Sequence, residues 1–342
     1  MKKAITGSLA LLVSVSILIS GCGSSANTGQ PQQGTGEETK VTVMKLAHVN
    51  PKDSPVGEGA HKFAELVDKA TGGKVKIEVY DNGTLGGEKQ TLDSMKFGAV
   101  EMTIVGDIVF STFAPEYGGL AQPYLFRDQE HLRKVLDGEI GKEINEQISK
   151  NAGATVLGWW DRSPRNLTAR KEIKTPEDLG GMKLRTPEIA NILDSWKALG
   201  ANPTPMAFTE LFTALEQKVV DGQENPVDLV YTNKFYEVQT HIMKTEHLIA
   251  PFVLMVNSKK LESLPPDLQK AIKDAAVEAG KFQSEVTKKS EQEYFKKLQE
   301  AGMKVVEVDK TLFAKKLEAS KVEEKYAEKW APDLLKRVRE VK

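Results

Sequence analysis

The chain alternates between two hydrophobic periodicities. From Val41, "VTVMKLAHV" is rich in β-branched and apolar residues and predicts a strand. "SPVGEGAHKFAELVDKATGG" follows, with Phe63, Leu66, Val67 and Ala70 at helical spacing and glycines to stop the run. "KVKIEVY" alternates with a period of two, "GEKQTLDSMKFG" is helical, and "VEMTIVG" is again strand-like. This β-α-β-α-β order implies a parallel sheet with helices on its faces, an α/β fold. Further strands are expected at "ATVLGWW", "MKLR", Pro203–Met206, "VVDGQ" and "IAPFVLMVN". Beyond Asn257 the pattern is almost wholly helix-forming, with Pro265 and Pro266 at the start of one run and Gly302 at its end. A helix of about 35 residues is about 50 Å long, which exceeds one lobe and predicts a helix lying across two. Residues 320–342 form a charged, amphipathic helical tail, broken at Ala331-Pro332. Thr91–Met102 and Leu211–Gly222 share a shape: apolar helix residues, a short break, a β-branched residue, then an acid. That faint repeat suggests two similar lobes.

The long apolar stretch of the sequence is at its start. Lys2 and Lys3 precede an apolar run from Ala4 to Ile19, and Ser20-Gly21 then lead to Cys22. This is the pattern of a secretion signal. Cys22 is the sole cysteine, so no internal disulfide is available. "ISGC" resembles the lipobox of bacterial lipoproteins, which implies a thioether-linked lipid on Cys22 and removal of residues 1–21. Residues 22–40 contain no aromatic or large aliphatic residue and read as a flexible tether, with a reach of about 20–25 Å. The body would then sit outside the cytoplasm, close to a membrane surface.

Charge narrows the partners. Lys and Arg total 47 against 48 Asp and Glu, which argues against a nucleic-acid binder. The chemistry of common enzymes is also missing: there is no G-x-S-x-G, H-E-x-x-H, C-x-x-C or phosphate-binding loop, and no cofactor is implied. His61, His131, His241 and His247 are scattered and read as surface positions rather than metal ligands. His48 ends the first strand, where α/β clefts form. Arg185, in "KLRTP", puts a fixed cation at the mouth of a strand, either as an anion receptor or paired with Glu188. Trp159 and Trp160 point to opposite faces of their strand, so at most one faces a cleft, and Trp160 is the candidate. Asp161 is placed to accept hydroxyls, or to neutralise Arg162 or Arg165.

Trp159–Pro226, and most specifically "GANPTPMAFTELFTALEQKVVDGQENP", resembles the solute-binding proteins of tripartite ATP-independent periplasmic (TRAP) transporters, the DctP family. The similarity runs from Val41 through "GTLGGEKQTL" and "GAVEMTI" to Gly302. It implies a two-lobed fold like that of periplasmic binding proteins, with a ligand cleft between lobes joined by crossing strands and one long helix. Lobe one would comprise residues 41–160 and 251–285, and lobe two residues 161–250 and 286–342. The implied function is capture of a small organic acid (a C4-dicarboxylate, 2-oxo acid or sugar acid) by a monomer that delivers it to ion-gradient-driven permease subunits. A secreted enzyme acting on a carboxylated metabolite is the rival reading. By the same resemblance Arg185 forms a two-point salt bridge with the ligand carboxylate, and Arg165 holds a further oxygen or a water. Asn225 offers an amide, Phe208 a wall and Glu88 an acid. Sialic-acid members carry an acid where Gly106 stands here and an asparagine where Val49 stands, so contacts to a large sugar acid differ.

Overall fold

The computed structural model describes residues 41–342, so Cys22, the signal and the tether lie outside the described residues. The first lobe opens with β1 (Thr42–Ala47), α1 (Pro55–Thr71), β2 (Val75–Tyr80), α2 (Glu88–Lys96) and β3 (Met102–Val105). It continues through α3 (Ile108–Phe113), α4 (Gln129–Asp137) and α5 (Glu139–Ala152) to β4 (Ala154–Trp160). The chain then crosses into β5 (Arg165–Ala169), β6 (Lys183–Thr186), α6 (Ala190–Leu199), β7 (Asn202–Pro205), α7 (Leu211–Glu216), β8 (Gly222–Pro226), α8 (Val227–Thr232) and β9 (His241–Leu248). It returns to the first sheet as β10 (Phe252–Asn257), followed by α9 (Ser258–Glu262) and α10 (Pro266–Glu300). β11 (Lys304–Val306), α11 (Lys310–Ser320) and α12 (Leu334–Glu340) complete it. The strands form two sheets, ordered β2-β1-β3-β10-β4 and β11-β9-β5-β8-β6-β7.

Local chemistry sets the boundaries. Ser54 caps α1 by accepting from the Gly57 amide at 3.1 Å, Pro55 occupies the first helical turn, and Gly72 ends the helix at φ 58. α10 starts at the expected Pro265-Pro266 step. Its buried stripe includes Ala275, Ala276 and Ala279, so it can lie close against α1.

The faint repeat is a duplicated unit. β1-α1-β2-α2-β3 and β6-α6-β7-α7-β8 have one topology, each with its first strand in the middle and all three parallel. The same hydrogen bond closes both: Lys45 N donates to Glu101 at 2.8 Å, and Lys183 N donates to Asp221 at 2.9 Å. The turn after each helix passes through a left-handed residue, Gly98 in one and Lys218 in the other. Val100 and Val220 are then buried at matching places.

Several expectations are corrected. β8 starts three residues past the "VVDGQ" reading, because Val219 and Val220 still belong to the turn. β9 and β11 were not expected as separate strands. The C-terminal stretch, expected in lobe two, is divided. α11 packs on α6, but α12 packs on the first lobe. Arg337 pairs there with Glu143, the Val338 carbonyl accepts from His131, and Trp330 covers Gly118 and Gly119.

Candidate functional site

Both duplicated units aim the C-terminal ends of their parallel strands at the gap between the sheets, the usual place for a ligand in an open α/β sheet. Two adjoining chambers occupy it. The outer has a volume of about 310 Å³, and the inner is much smaller at about 20 Å³. Glu88, Ile108, Arg185 and Phe208 line both. Glu88 stands at the start of α2, and Phe208 occupies the corresponding place before α7 in the second copy.

Arg185 is buried on β6. Its Nε and Nη2 donate to the Met206 carbonyl at 2.9 and 2.6 Å, and its guanidinium lies 6.0 Å from the centre of the Phe208 ring. Among the described residues it has no carboxylate partner, and the pair with Glu188 is not formed. Glu188 instead lines the outer chamber. Burial, with Arg165 nearby, pulls the Arg185 pKa down to about 10, so it remains a cation at neutral pH.

The other two arginines of the inner chamber are already neutralised. Arg165 lines the inner chamber, but its Nε and Nη2 embrace the fully buried Glu224, with Nη2 to Oε1 at 2.7 Å. His247 Nε2 lies 3.0 Å from the same carboxylate, and its ring stands edge-on to Trp196. Burial opposes the charge of Glu224, yet Arg165 and His247 hold its pKa at about 2. Burial pulls the pKa of His247 below its usual value, against the opposing pull of Glu224. Arg162 Nη1 donates to Asp107 Oδ1 at 2.8 Å, and its guanidinium lies 4.6 Å over the Phe252 ring. Burial raises the pKa of Glu88, although Oε1 accepts from the Gly106 amide at 2.7 Å and Arg162 is close. Asn225 lines the inner chamber and donates from Nδ2 to Gln223.

The structure thus brings Arg185, Arg165, Asn225, Phe208 and Glu88 together. It removes three other candidates. His48 is buried behind the chamber with Nε2 3.1 Å from Asp81, and it is Val49 and Asn50 that reach the cavity. Asp161 pairs with Arg133 and accepts from Gln129, rather than neutralising Arg162 or Arg165, and it lines neither chamber. Trp160 is core: its ring lies against Gly59 and Gly280 under α1 and α10. Trp159 stacks on Phe110 at 5.8 Å, so neither of these tryptophans lines either chamber. His131 and His247, expected at the surface, are buried. Among the described residues, no group of three or more His, Cys, Asp or Glu is placed to hold a metal.

Sequence reasoning missed Asn50, Asp107 and Arg162. The first two directly follow Val49 and Gly106, where the resemblance looked for an asparagine and an acid. A side chain at 106 would meet Arg162 Nη1 at 2.9 Å, so the acid stands one residue later.

The sequence profile of the bacterial extracellular solute-binding proteins, family 7 (DctP), matches residues 46–330. The chain is 33% identical to the 2,3-diketo-L-gulonate-binding periplasmic protein YiaO of Escherichia coli (strain K12), over 82% of this chain and 87% of that protein. The solved sugar acid binding protein of Advenella mimigardefordensis, in complex with galactonate, is 35% identical with a TM-score of 0.84, over 88% of this chain and 98% of that one. A TRAP periplasmic solute-binding protein of Sulfurospirillum deleyianum with bound succinate is 31% identical, also with a TM-score of 0.84, over 88% of this chain and 99% of that one.

Proposed function

The chain belongs to the bacterial extracellular solute-binding proteins of family 7, and on that premise we propose that it captures a small organic carboxylate between its lobes and hands it to an ion-gradient-driven permease. The family is one of binding proteins and not of enzymes. One observation carries the ligand reading: Arg185 is a buried guanidinium without a carboxylate partner among the described residues, facing a chamber built by both lobes. A planar guanidinium matches a carboxylate with parallel N–H donors, and the pairing is strong where water is excluded. Relatives that bind galactonate and succinate support the ligand class.

A thermal-shift screen of dicarboxylates, oxo acids and sugar acids tests this reading. At about 100 times its dissociation constant, a ligand of the folded form stabilises by about 2.7 kcal/mol, a rise of several degrees for a body of this size. Neutral sugars and amines should give none, and the bound acid should be recovered unchanged. A broad panel of acids without a hit, on ligand-free protein, contradicts the reading. Cys22 is the lipid anchor in this account, and the protein acts as a monomer on the outer side of the membrane. Fractionation of Cys22→Ala checks the anchor: the variant should be released or left unprocessed, and a mature, membrane-bound variant contradicts it.

A further inference from the structure

The inner chamber has unmatched hydrogen-bonding capacity of both kinds. Asn50 is 1% exposed, and neither Oδ1 nor Nδ2 has a partner among the described residues. Asp107 is 4% exposed, gives Oδ1 to Arg162 and leaves Oδ2 unmatched. Asp228, next to the lining residue Leu229, also leaves Oδ1 unmatched. The unmatched donors here are Arg162 Nε and the Asn50 amide. Buried polar groups are nearly always paired, so unmatched atoms around a ligand cavity describe what the ligand must bring. Unmatched acceptors standing beside unmatched donors suit hydroxyl groups, which donate and accept at once.

Charge points the same way. Arg162 is neutralised by Asp107 and Arg165 by Glu224, which leaves Arg185 as the cation of the chamber without a carboxylate partner among the described residues. One ligand carboxylate satisfies it. A second carboxylate, carried inward, would meet the oxygens of Asp107 and Glu88 in a space of about 20 Å³, where little water can screen the repulsion of like charges.

Building on the proposed capture of a carboxylate by Arg185, we propose that the ligand is a polyhydroxy monocarboxylate of the aldonate kind, with hydroxyls read by Asn50 and Asp107, and that Asp107 excludes dicarboxylates. Asn50 and Asp107 are then the specificity residues of this site. Both stand in short connections just past strand ends, where a small change of backbone register would change the ligand.

Calorimetry on the full-length protein freed of carried ligand decides it, with D-erythronate, D-galactonate and succinate as probes. Wild type should bind the better sugar acid at least about tenfold more tightly than succinate, which has the same carbon count as erythronate. Asn50→Leu keeps volume and charge balance, and should weaken the sugar acid about tenfold or more while leaving succinate unchanged. Asp107→Asn frees the charge of Arg162, and should shift preference toward succinate. A purely structural role for either residue would move all three ligands together and overturns the proposal. Should Asp107→Asn not fold, Asn50→Leu decides alone. If wild type binds succinate as tightly as either sugar acid, and Arg185→Ala abolishes that binding, the hydroxyl assignment is wrong and carboxylate capture stands. If none of these acids binds, nor any in the wider panel, carboxylate capture itself fails and the assignment with it.

Discussion

Two buried carboxylates near the cleft have their pKa values shifted in opposite directions, and each makes a prediction. Glu224 has its pKa depressed to about 2 against 4.5 for an ordinary glutamate. Its contribution to stability is therefore present above about pH 4.5 and is lost as pH falls toward 2. Glu224→Gln strands Arg165 as a buried, unpaired cation, and should cost about 3–5 kcal/mol in a denaturant titration. Asp228 behaves the other way. Burial raises its pKa to about 6 from 3.8, against the pull of Arg162. Between those values the folded chain holds a proton that the unfolded chain has lost, so this group's contribution falls as pH rises through the window. Asp228→Asn removes that cost: melting temperature should rise by several degrees at pH 7 to 8, on the order of 2–3 kcal/mol, and hardly change at pH 4. Residues of this kind were only partly legible beforehand. Arg185 stood out because its motif is specific and its chemistry is narrow. Asn50 and Asp107 did not, because periodicity says nothing about where a short connection turns after a strand ends. Trp160 was misplaced for another reason. β4 does alternate its side chains, but both its faces are covered, one by Phe110 and its neighbours and the other by α10. A strand covered on both faces presents no side to a cleft.

At the level of elements, the long helix was legible and its partners were not. Two prolines, a terminal glycine and unbroken helix-forming residues mark α10, but only the fold shows that it lies on α1 over Trp160. That contact depends on small residues. A Cβ on Gly59 would lie 2.8 Å from Gln283 Cβ and 2.9 Å from Trp160 Cζ3. Gly59→Ala should therefore destabilise by about 1–3 kcal/mol despite its gain in helix propensity, as measured by denaturant unfolding. A neutral or stabilising result would mean that α1 and α10 are more loosely apposed than described. The missed strands have physical causes too. β9 mixes Lys, Glu and His into "HIMKTEHL", and Glu246 takes a positive φ of 40, which breaks the alternation a reader looks for. β11 is three residues long, too short for any period.

The whole molecule is organised around the gap between its two sheets. Segments 161–164 and 249–251 cross it, and α10 contacts both lobes, with β4 on one side and α8 on the other. At the mouth, the lobes come together where the Thr209 methyl packs on Gly83, so closely that a Cβ there would lie 2.6 Å from it. Thr209 is exposed and contributes little to the core, so Thr209→Trp should act as a wedge. Its melting temperature without ligand should match wild type, its ligand affinity should fall about tenfold or more, and X-ray scattering should lose the ligand-induced contraction expected of hinge closure. Equal affinity and contraction in the variant would show that this contact does not belong to closure. Two similar lobes, a cleft and an arginine lining it were readable from the sequence. The division of the C-terminal stretch between the lobes was not, because a solvated, charged helix looks the same wherever it docks. The central claim is that Arg185 reads the carboxylate itself within this cleft. The direct measurement is the calorimetric affinity of wild type and Arg185→Ala for the cognate acid and for its uncharged amide, with melting temperatures taken without ligand. Hydrogen bonds to charged groups are worth about 1.5–3 kcal/mol each, and two are at stake. Wild type should reject the amide strongly, and Arg185→Ala should bind the acid at least a hundredfold more weakly, hardly distinguish it from the amide, and remain folded. An Arg185→Ala protein that binds the acid as tightly as wild type, or still discriminates fully against the amide, contradicts the account.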